Sequence, residues 1–559
     1  MLWKGLYITR NYSSKKSLAL LTTPIYYVNA EPHIGHLYSS LITDAIKRWK
    51  FLTRKEAKII FSTGTDEHGT KIQRAAKSHR TSVNDYCTKV SSQYQELANT
   101  FSISYTDFIR TSEERHITTV QKFWTRLTEK DLIYQSTYQG WYCVSDETFL
   151  SDSQLIEIIK DGEKVLVSAE SKQPVEWSKE TNYIFKLHLF KQTLIDWLRS
   201  NEKAVVPQKF YKILLDIVYS PDALSDISIS RPSSRVHWGV PVPNDHDQTI
   251  YVWFDALVNY LTVAGYSETT NGKFQECWPP DIQVIGKDIL KFHGVYWPAF
   301  LIAADLEPPR SILCHSHWTV DGEKMSKSKG NVVSPLEKIT SYTADGLRYF
   351  LLREGVNHGD GNYSETKVLR LLNAELADTL GNLLSRCCSK ALNPDQKFPA
   401  LNTDSFNRVS SLDVTKKLLE NIQQLPGLCE THYNQYNFYK AADAIIAILH
   451  SANLFFETLK PWELKKNKNT TEDLQTVLHL AMESLRVTGI LLQPLIPNIS
   501  NVLLNKLNVP KKERFFDNLQ KFSWMEQSFK TRCLGDDSAV LFKRIVSGDS
   551  DREKKKLKN

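Results

Sequence analysis

The chain has 559 residues, 41% of them hydrophobic, which is ample for a large core and too long for one ordinary domain, so roughly three or four domains are expected. Charge is mixed, 70 Lys and Arg against 63 Asp and Glu, and the net of +7 fits a polyanionic partner without demanding one. Eight cysteines with no CxxC pair exclude a disulfide scaffold and a four-cysteine zinc knuckle, and no stretch reads as a membrane-spanning helix, so a soluble protein with reduced thiols is expected.

The N-terminal MLWKGLYITRNYSSKKSLAL carries Lys4, Arg10, Lys15 and Lys16 among hydroxyl residues, and no acid precedes Glu31. That is the composition of a mitochondrial transit peptide, taken as residues 1–17. SLALLTTPIYYVN then reads as a buried strand, HLYSSLITDAIKRWKFL as a helix with apolar residues at helical spacing, and AKIIFSTGTDEHG as a second strand. Strand, helix and strand with short joints form a βαβ unit and imply a parallel sheet. From 128 to 236 the reading changes: EKVLVSAE and NYIFKLHL look like short strands joined by turns, an inserted module within a split α/β domain. The α/β pattern resumes with the strand DIQVIG, the helix ILKFHGVYWPAFLIAAD and the strand RSILCHSHWTV. After Ser364 three long stretches carry apolar stripes at helical spacing, which reads as an all-α bundle. DREKKKLKN closes the chain as a basic tail.

Four polar clusters, NAEPHIGH, GTDEHG, GKDILKFH and KMSKSKGN, lie just beyond strand ends. Ligands of open parallel sheets bind outside the carboxyl ends of the strands, so the four converge on one edge. In PHIGH a helix follows, so backbone N–H groups and the helix dipole face an anion. Gly35 lets a flat ligand approach the backbone, and His33 and His36, three apart, share one side of the helix start. Two imidazoles there can donate to phosphate oxygens as charge grows; in isolation the pair reads as partly exposed helix-capping histidines. KMSKSKGN sets three lysines within one short loop. Displacement at a nucleotide α-phosphate needs flexible positive charge on the departing pyrophosphate, with Mg2+ sharing it, and a loop that closes only over the nucleotide. No GxxxxGK[ST] P-loop is present.

The HIGH-type PHIGH and the KMSKS-type KMSKSKGN, each after a strand in one chain, resemble the class I aminoacyl-tRNA synthetases. Together with TTPIYYVNAEPHIGH, TGTDEHG, YVWFDALVNY and GKDILKFH they are similar to the methionyl-tRNA synthetase family, mitochondrial type, over nearly all the chain after about residue 18. The resemblance implies a Rossmann-like parallel-sheet catalytic domain with an inserted connective module, followed by an all-α anticodon-binding bundle. On that basis residues 18–127 and 237–310 are the catalytic halves, 128–236 the insertion, 311–364 the KMSKS and stem-contact region, 365–545 the anticodon domain and 546–559 the tail.

The same resemblance implies the site. His33, His36, Lys324 and Lys327 are catalytic, and Gly35, Gly286, Asp288, Met325, Ser326 and Ser328 complete the ATP site, with Asp288 on the ribose hydroxyls. Ile25, Tyr27, Trp253, Ala256, Tyr260, Phe292 and His293 wall the methionine side chain, Asp66 holds its ammonium group, and Arg231 contacts the substrate end of the site. Aromatic rings around a thioether make a contact that branched side chains do not match; read alone, YVWFDALVNYL is a core helix. The first cysteine, Cys87, follows the histidine motif too late for a zinc-binding cysteinyl enzyme, and the insertion is too short for a large editing module. Where many relatives carry zinc knuckles, GWYCVSDETFL keeps Cys143 and has Asp146, so no protein-bound zinc and no metal ligands are expected.

The resemblance makes Asn382 and Arg386, four apart on one helix face, anticodon readers together with Trp462; without the family, the pattern reads as a buried Trp and an exposed, salt-bridged Arg. The expected partners are methionine, ATP with Mg2+ and a tRNA(Met) with a CAU anticodon, in a monomer of the mitochondrial matrix with no membrane partner. A synthetase-derived, non-catalytic RNA-binding protein is the alternative; intact PHIGH, Asp66 and KMSKS argue against it. A nucleotidyltransferase of the same fold has no use for the helical bundle.

Overall fold

ALLTTPIYY, Ala19–Tyr27 (β1), is rich in β-branched and aromatic residues and buried along nearly its whole length, as a central parallel strand must be. The structure, a computed structural model, describes residues 17–546 except 55–56, 144–147, 151, 161–162, 170, 221–223, 269–271, 326–329 and 526–529. The presequence, most of the basic tail, Asp146, Ser326, Lys327 and Ser328 therefore lie outside the described residues. The chain forms two units, Met1–Glu31 with Lys58–Glu96 and Tyr105–Cys314, and Pro32–Ala57 with Leu97–Ser104 and His315–Asn559.

In the first unit β1 is joined by Ile59–Asp66 (β2), Asp107–Arg110 (β3), Val205–Val206 (β4), Ile282–Gly286 (β5) and Ile312–His315 (β6), in the order β3-β2-β1-β5-β6-β4. Every pairing from β3 through β5, and that of β6 with β4, is parallel. Pro24 has no N–H for the ladder, and the β1–β2 register shifts there, between Thr22 and Ile25. Strand order reverses beside β1, which makes the carboxyl ends of β1 and β5 the switch point where such sheets bind ligands. A core containing Leu20, Phe123, Phe185, Phe254, Trp297 and Phe300 seats the buried helix Val252–Ala264, labelled α2 below.

The stretch 128–236 carries a small antiparallel sheet of Ile133–Cys143, Thr148–Leu150, Val175–Phe185 and Ile227–Ser228. It also holds two helices, Lys191–Ser200 and Gln208–Tyr219, and the edge strand β4 of the central sheet. Two residues of strand are too short for periodicity to reveal, so the sequence reading does not anticipate β4.

The second unit holds Ile34–Thr53 (α1), the chain that joins β1 to β2. Trp318–Val320 and Glu323–Lys324 form a hairpin whose turn residues Asp321 (φ 49) and Gly322 (φ 84) both take the left-handed conformation a tight hairpin needs. The helical part includes Ala344–Glu354 (α3), Asp413–Asn434 (α4), Phe438–Leu459 (α5) and Thr471–Leu491 (α6). One correction concerns membranes. Phe438–Leu464 contains a stretch long and apolar enough, by length and composition alone, to pass as a membrane span, where the sequence reading expects none. Ala441, Ile445, Leu449, Ala452 and Phe456 are buried while Leu454 is exposed, and α5 packs on α4 and α6 as a bundle helix.

Candidate active site

PHIGH opens α1. His33 is the N-cap, in extended conformation (φ −129), and its Nδ1 accepts the Gly35 N–H at 3.0 Å. His36, one turn on, accepts the His33 N–H on its own Nδ1 at 3.2 Å. The two rings stack with centroids 3.8 Å apart. A backbone N–H can only donate, so the proton of each neutral ring sits on Nε2. The capping alternative and the phosphate-donor reading thus describe the same pair. No acidic residue lies in the first turn, so the positive end of the helix dipole is not neutralised from within.

Gly35 is required by space. A Cβ there would lie 2.8 Å from His33 Cε1 and 3.9 Å from Met325 Cε, so the second motif reaches the first at this glycine. Val333, past the lysine loop, accepts the Ile34 N–H at 3.1 Å. Lys324 ends the hairpin, and Asn362 Oδ1 accepts the Gly322 N–H at 2.8 Å, pinning the turn that presents the loop.

In the first unit Tyr27 and Asp66 are register partners at the carboxyl ends of β1 and β2, with Ile25 two residues earlier opposite Gly64. Asp66 Oδ1 accepts the His68 N–H at 3.4 Å. Trp253, Ala256 and Tyr260 follow one another along one side of α2. Trp253 stacks on Phe292 with centroids 3.6 Å apart and planes 10° off parallel. Phe292 and His293 lie in a π-helical turn, Phe292–Tyr296, followed by the α-helix Trp297–Ala303. Pro298 lacks an N–H where the two meet. His293 Nδ1 donates to the Ile289 carbonyl at 3.0 Å, so Nε2 accepts the Tyr260 hydroxyl at 2.8 Å. Burial pulls the His293 imidazole down to about 4, against the Ile289 carbonyl and the Asp288 charge.

Gly286 ends β5, and Asp288 stands exposed in the next turn, Lys287–Ile289. Arg231, 3% exposed, has its guanidinium 4.4 Å from the Tyr251 ring centroid and 5.6 Å from that of Tyr142, and donates to Ser228 Oγ at 2.8 Å. In the second unit Arg386 lies 4.6 Å over Phe456 and 5.8 Å over Trp462. Lys460, with φ 46, ends α5 and turns the chain so that Trp462 comes back to Arg386. Asn382 is exposed one turn before Arg386.

Several side chains here escaped the sequence reading. Glu457 pairs with Arg386 at 2.7 Å. Asp255, on α2, accepts from His68 Nδ1 at 2.6 Å and from His116 Nε2 at 2.8 Å. Burial would raise the Asp255 carboxyl, but the two imidazoles outweigh it and hold it at about 2. Nothing but the residue types marked them. Among the described residues no group of three or more His, Cys, Asp and Glu is placed to hold a metal ion.

Residues 19–388 match the family described as "tRNA synthetases class I (M)", and 409–558 match "Anticodon binding domain of methionyl tRNA ligase". The chain belongs to the class I methionyl-tRNA synthetase family. It is 46% identical over 543 residues, 94% of this chain and 90% of the other, to the human "Methionine--tRNA ligase, mitochondrial". It is 43% identical over 529 residues, 93% of this chain and 91% of the other, to the "Probable methionine--tRNA ligase, mitochondrial" of Dictyostelium discoideum. Among solved structures of this family, that of "Mycobacterium tuberculosis methionyl-tRNA synthetase in complex with methionyl-adenylate" is similar with a TM-score of 0.86 and 34% identity, covering 94% of this chain and 100% of that one. The apo form of the mycobacterial synthetase gives 0.79 and 32%, covering 95% and 98%.

Proposed function

We propose that this protein activates methionine with ATP, releases pyrophosphate, and transfers the methionyl group from the adenylate to tRNA(Met) for mitochondrial translation, in the matrix. The observation that carries the reading is the reciprocal cap of His33 and His36, which leaves Nε2 as the proton-bearing nitrogen on both rings at a helix N-terminus. Matching relatives named for mitochondria and a structural neighbour solved with methionyl-adenylate support it.

The methionine carboxylate attacks the α-phosphorus of ATP, which enters as its Mg2+ complex. Asp66 holds the ammonium group, and Trp253, Phe292, Tyr260, His293, Ala256, Ile25 and Tyr27 enclose the thioether. A neutral His293 that accepts from Tyr260 keeps that wall uncharged. His33 and His36 donate to phosphate oxygens, and Lys324 and Lys327 carry the charge of the departing pyrophosphate, with Gly35, Met325, Ser326 and Ser328 shaping the loop around ATP. Gly286 and Asp288 receive the ribose, and Arg231 serves the substrate end. Positioning and electrostatics supply the rate, and no covalent enzyme intermediate is needed. Asn382, Arg386 and Trp462 read a CAU anticodon, and the protein works as a monomer with no protein-bound zinc. The segment boundaries given above, from the presequence at 1–17 to the tail at 546–559, complete the proposal.

Pyrophosphate exchange tests it: ATP, labelled pyrophosphate and each of the twenty amino acids in turn. Exchange with methionine alone is expected. A folded protein that exchanges with no amino acid, or equally well with leucine, would overturn the reading.

A further inference from the structure

Asp255 lies in the first turn of α2, two residues after Trp253 and one before Ala256, and is buried. Such a carboxylate is retained only where donors satisfy it. Here two imidazoles from different parts of the chain do so, one on each oxygen: His68 follows the end of β2, and His116 lies on the helix Glu114–Glu129. An ionised carboxylate only accepts, so both ring nitrogens carry protons and both bonds are charge-assisted. His116 Nδ1 returns to α2 at Thr262 Oγ1, 2.9 Å away, so one ring touches the helix at two points. His68 is also the residue whose backbone N–H reaches Asp66 Oδ1. Trp238 packs edge-on against the His68 ring and donates its indole N–H to the Glu67 carbonyl at 2.5 Å, closing the turn from the other side.

We propose that Asp255 is a positioning residue for methionine: through His68 it sets the Asp66 turn, and through its own helix it sets Trp253, Ala256 and Tyr260. One buried carboxylate then fixes the distance between the group that receives the ammonium and the wall that receives the thioether. It touches no substrate atom. Its loss loosens both ends of the methionine site and leaves the phosphate-binding residues as they are. The proposal rests on the reading of Asp66 and α2 as methionine-binding elements.

The test is pyrophosphate exchange with KM measured separately for methionine and ATP, alongside a thermal melt. Asp255→Asn presents one oxygen and one NH2, so one imidazole N–H faces another donor. A rise in the methionine KM of at least tenfold is expected, with the ATP KM within twofold of wild type. A folded Asp255→Asn whose methionine KM stays within twofold, or whose two KM values rise alike, overturns the proposal. If Asp255→Asn does not fold, the His68 pair decides. His68→Leu should raise the methionine KM, and His68→Asn, which keeps a donor near the Nδ1 position, should restore most of the loss; equal effects of the two overturn it. Asp66→Asn separates the proposal from the reading beneath it. Wild-type methionine binding in Asp66→Asn removes that reading, whereas its loss beside a normal Asp255→Asn removes the proposal alone.

Discussion

His33 and His36 cap the same helix through each other's neighbourhood: each Nδ1 accepts a backbone N–H of the helix start, and the rings stack 3.8 Å apart. The caps use Nδ1 and the proposed phosphate-donor role uses Nε2, the other nitrogen of the same ring, so substitution can separate the two. Asn is among the best N-cap residues, and its oxygen can replace Nδ1 towards the Gly35 N–H, but it has nothing at the Nε2 position. His33→Asn should keep the wild-type melting midpoint while slowing adenylate formation roughly 100-fold or more, the typical effect of removing one preorganised donor. A variant that activates methionine at the wild-type rate would reduce His33 to a cap.

A second prediction concerns acid. His293 is held at about 4 in the folded protein, mainly by burial, against about 6.5 in an unfolded chain. Between these values the unfolded chain binds more protons, so folding stability is complete above pH 6.5 and falls as pH drops towards 4, by up to about 3 kcal/mol in all. Protonation also gives His293 Nε2 a proton where it accepts the Tyr260 hydroxyl. His293→Gln should flatten the dependence of the melting midpoint on pH across this window. Parallel curves for the variant and the wild type would show that other groups carry the acid sensitivity.

What the sequence revealed and what it hid divide along physical lines. The strands around β1, β2 and β5 were legible because their apolar runs end in polar clusters, and a parallel sheet is the simplest fold of that alternation. The turns at Phe292–Tyr296 and Leu372–Gly381 were not, because apolar spacing does not separate a π-helical turn from an α-helical one. The stacking of Trp253 on Phe292 depends on one of them. Asp255, His68 and His116 hid for another reason: a buried polar network joins residues remote in sequence, and each alone looks like an ordinary polar residue near a motif. Arg348 was hidden inside ADGLRYFLLRE, where an arginine at helical spacing reads as a solvated face although it is fully buried.

Arg386 offers a third prediction. Its guanidinium lies over Phe456 and Trp462 and pairs with Glu457, which is 57% exposed, so the ion pair contributes little to stability. In the proposed function the arrangement serves instead as a flat cationic platform for an unstacked anticodon base. Arg386→Ala should melt within a degree or two of wild type, yet lower kcat/KM for tRNA(Met) charging about 10- to 100-fold, with a far smaller effect on pyrophosphate exchange. Equal losses in the two assays would place the defect in the catalytic residues instead.

The last prediction concerns what holds α1 in place. Arg348 on α3 is fully buried and pairs with Asp44 of α1 at 2.7 Å; it also donates to the carbonyls of Phe101 at 2.8 Å, Leu495 at 3.1 Å and Pro494 at 3.2 Å. One guanidinium thus ties the helix that begins at His33 to the loop leaving the bundle helix α6. Asp44 also receives Arg48 and Ser104, and these cations and donors keep its carboxyl below the usual range although burial alone would raise it. Arg348→Met fills the volume but strands three carbonyls and weakens the hold on Asp44, a loss of about 3–5 kcal/mol for breaking a buried pair. Arg348→Lys should rescue little, because one ammonium cannot span four acceptors that match a planar fork. Hydrogen exchange reads this directly: amides of α1 should exchange at least about 100-fold faster in Arg348→Met, with pyrophosphate exchange falling in parallel. Unchanged protection in α1 would mean that its anchorage lies elsewhere, with the Trp49 indole on Asn434 at 2.8 Å the next contact to remove.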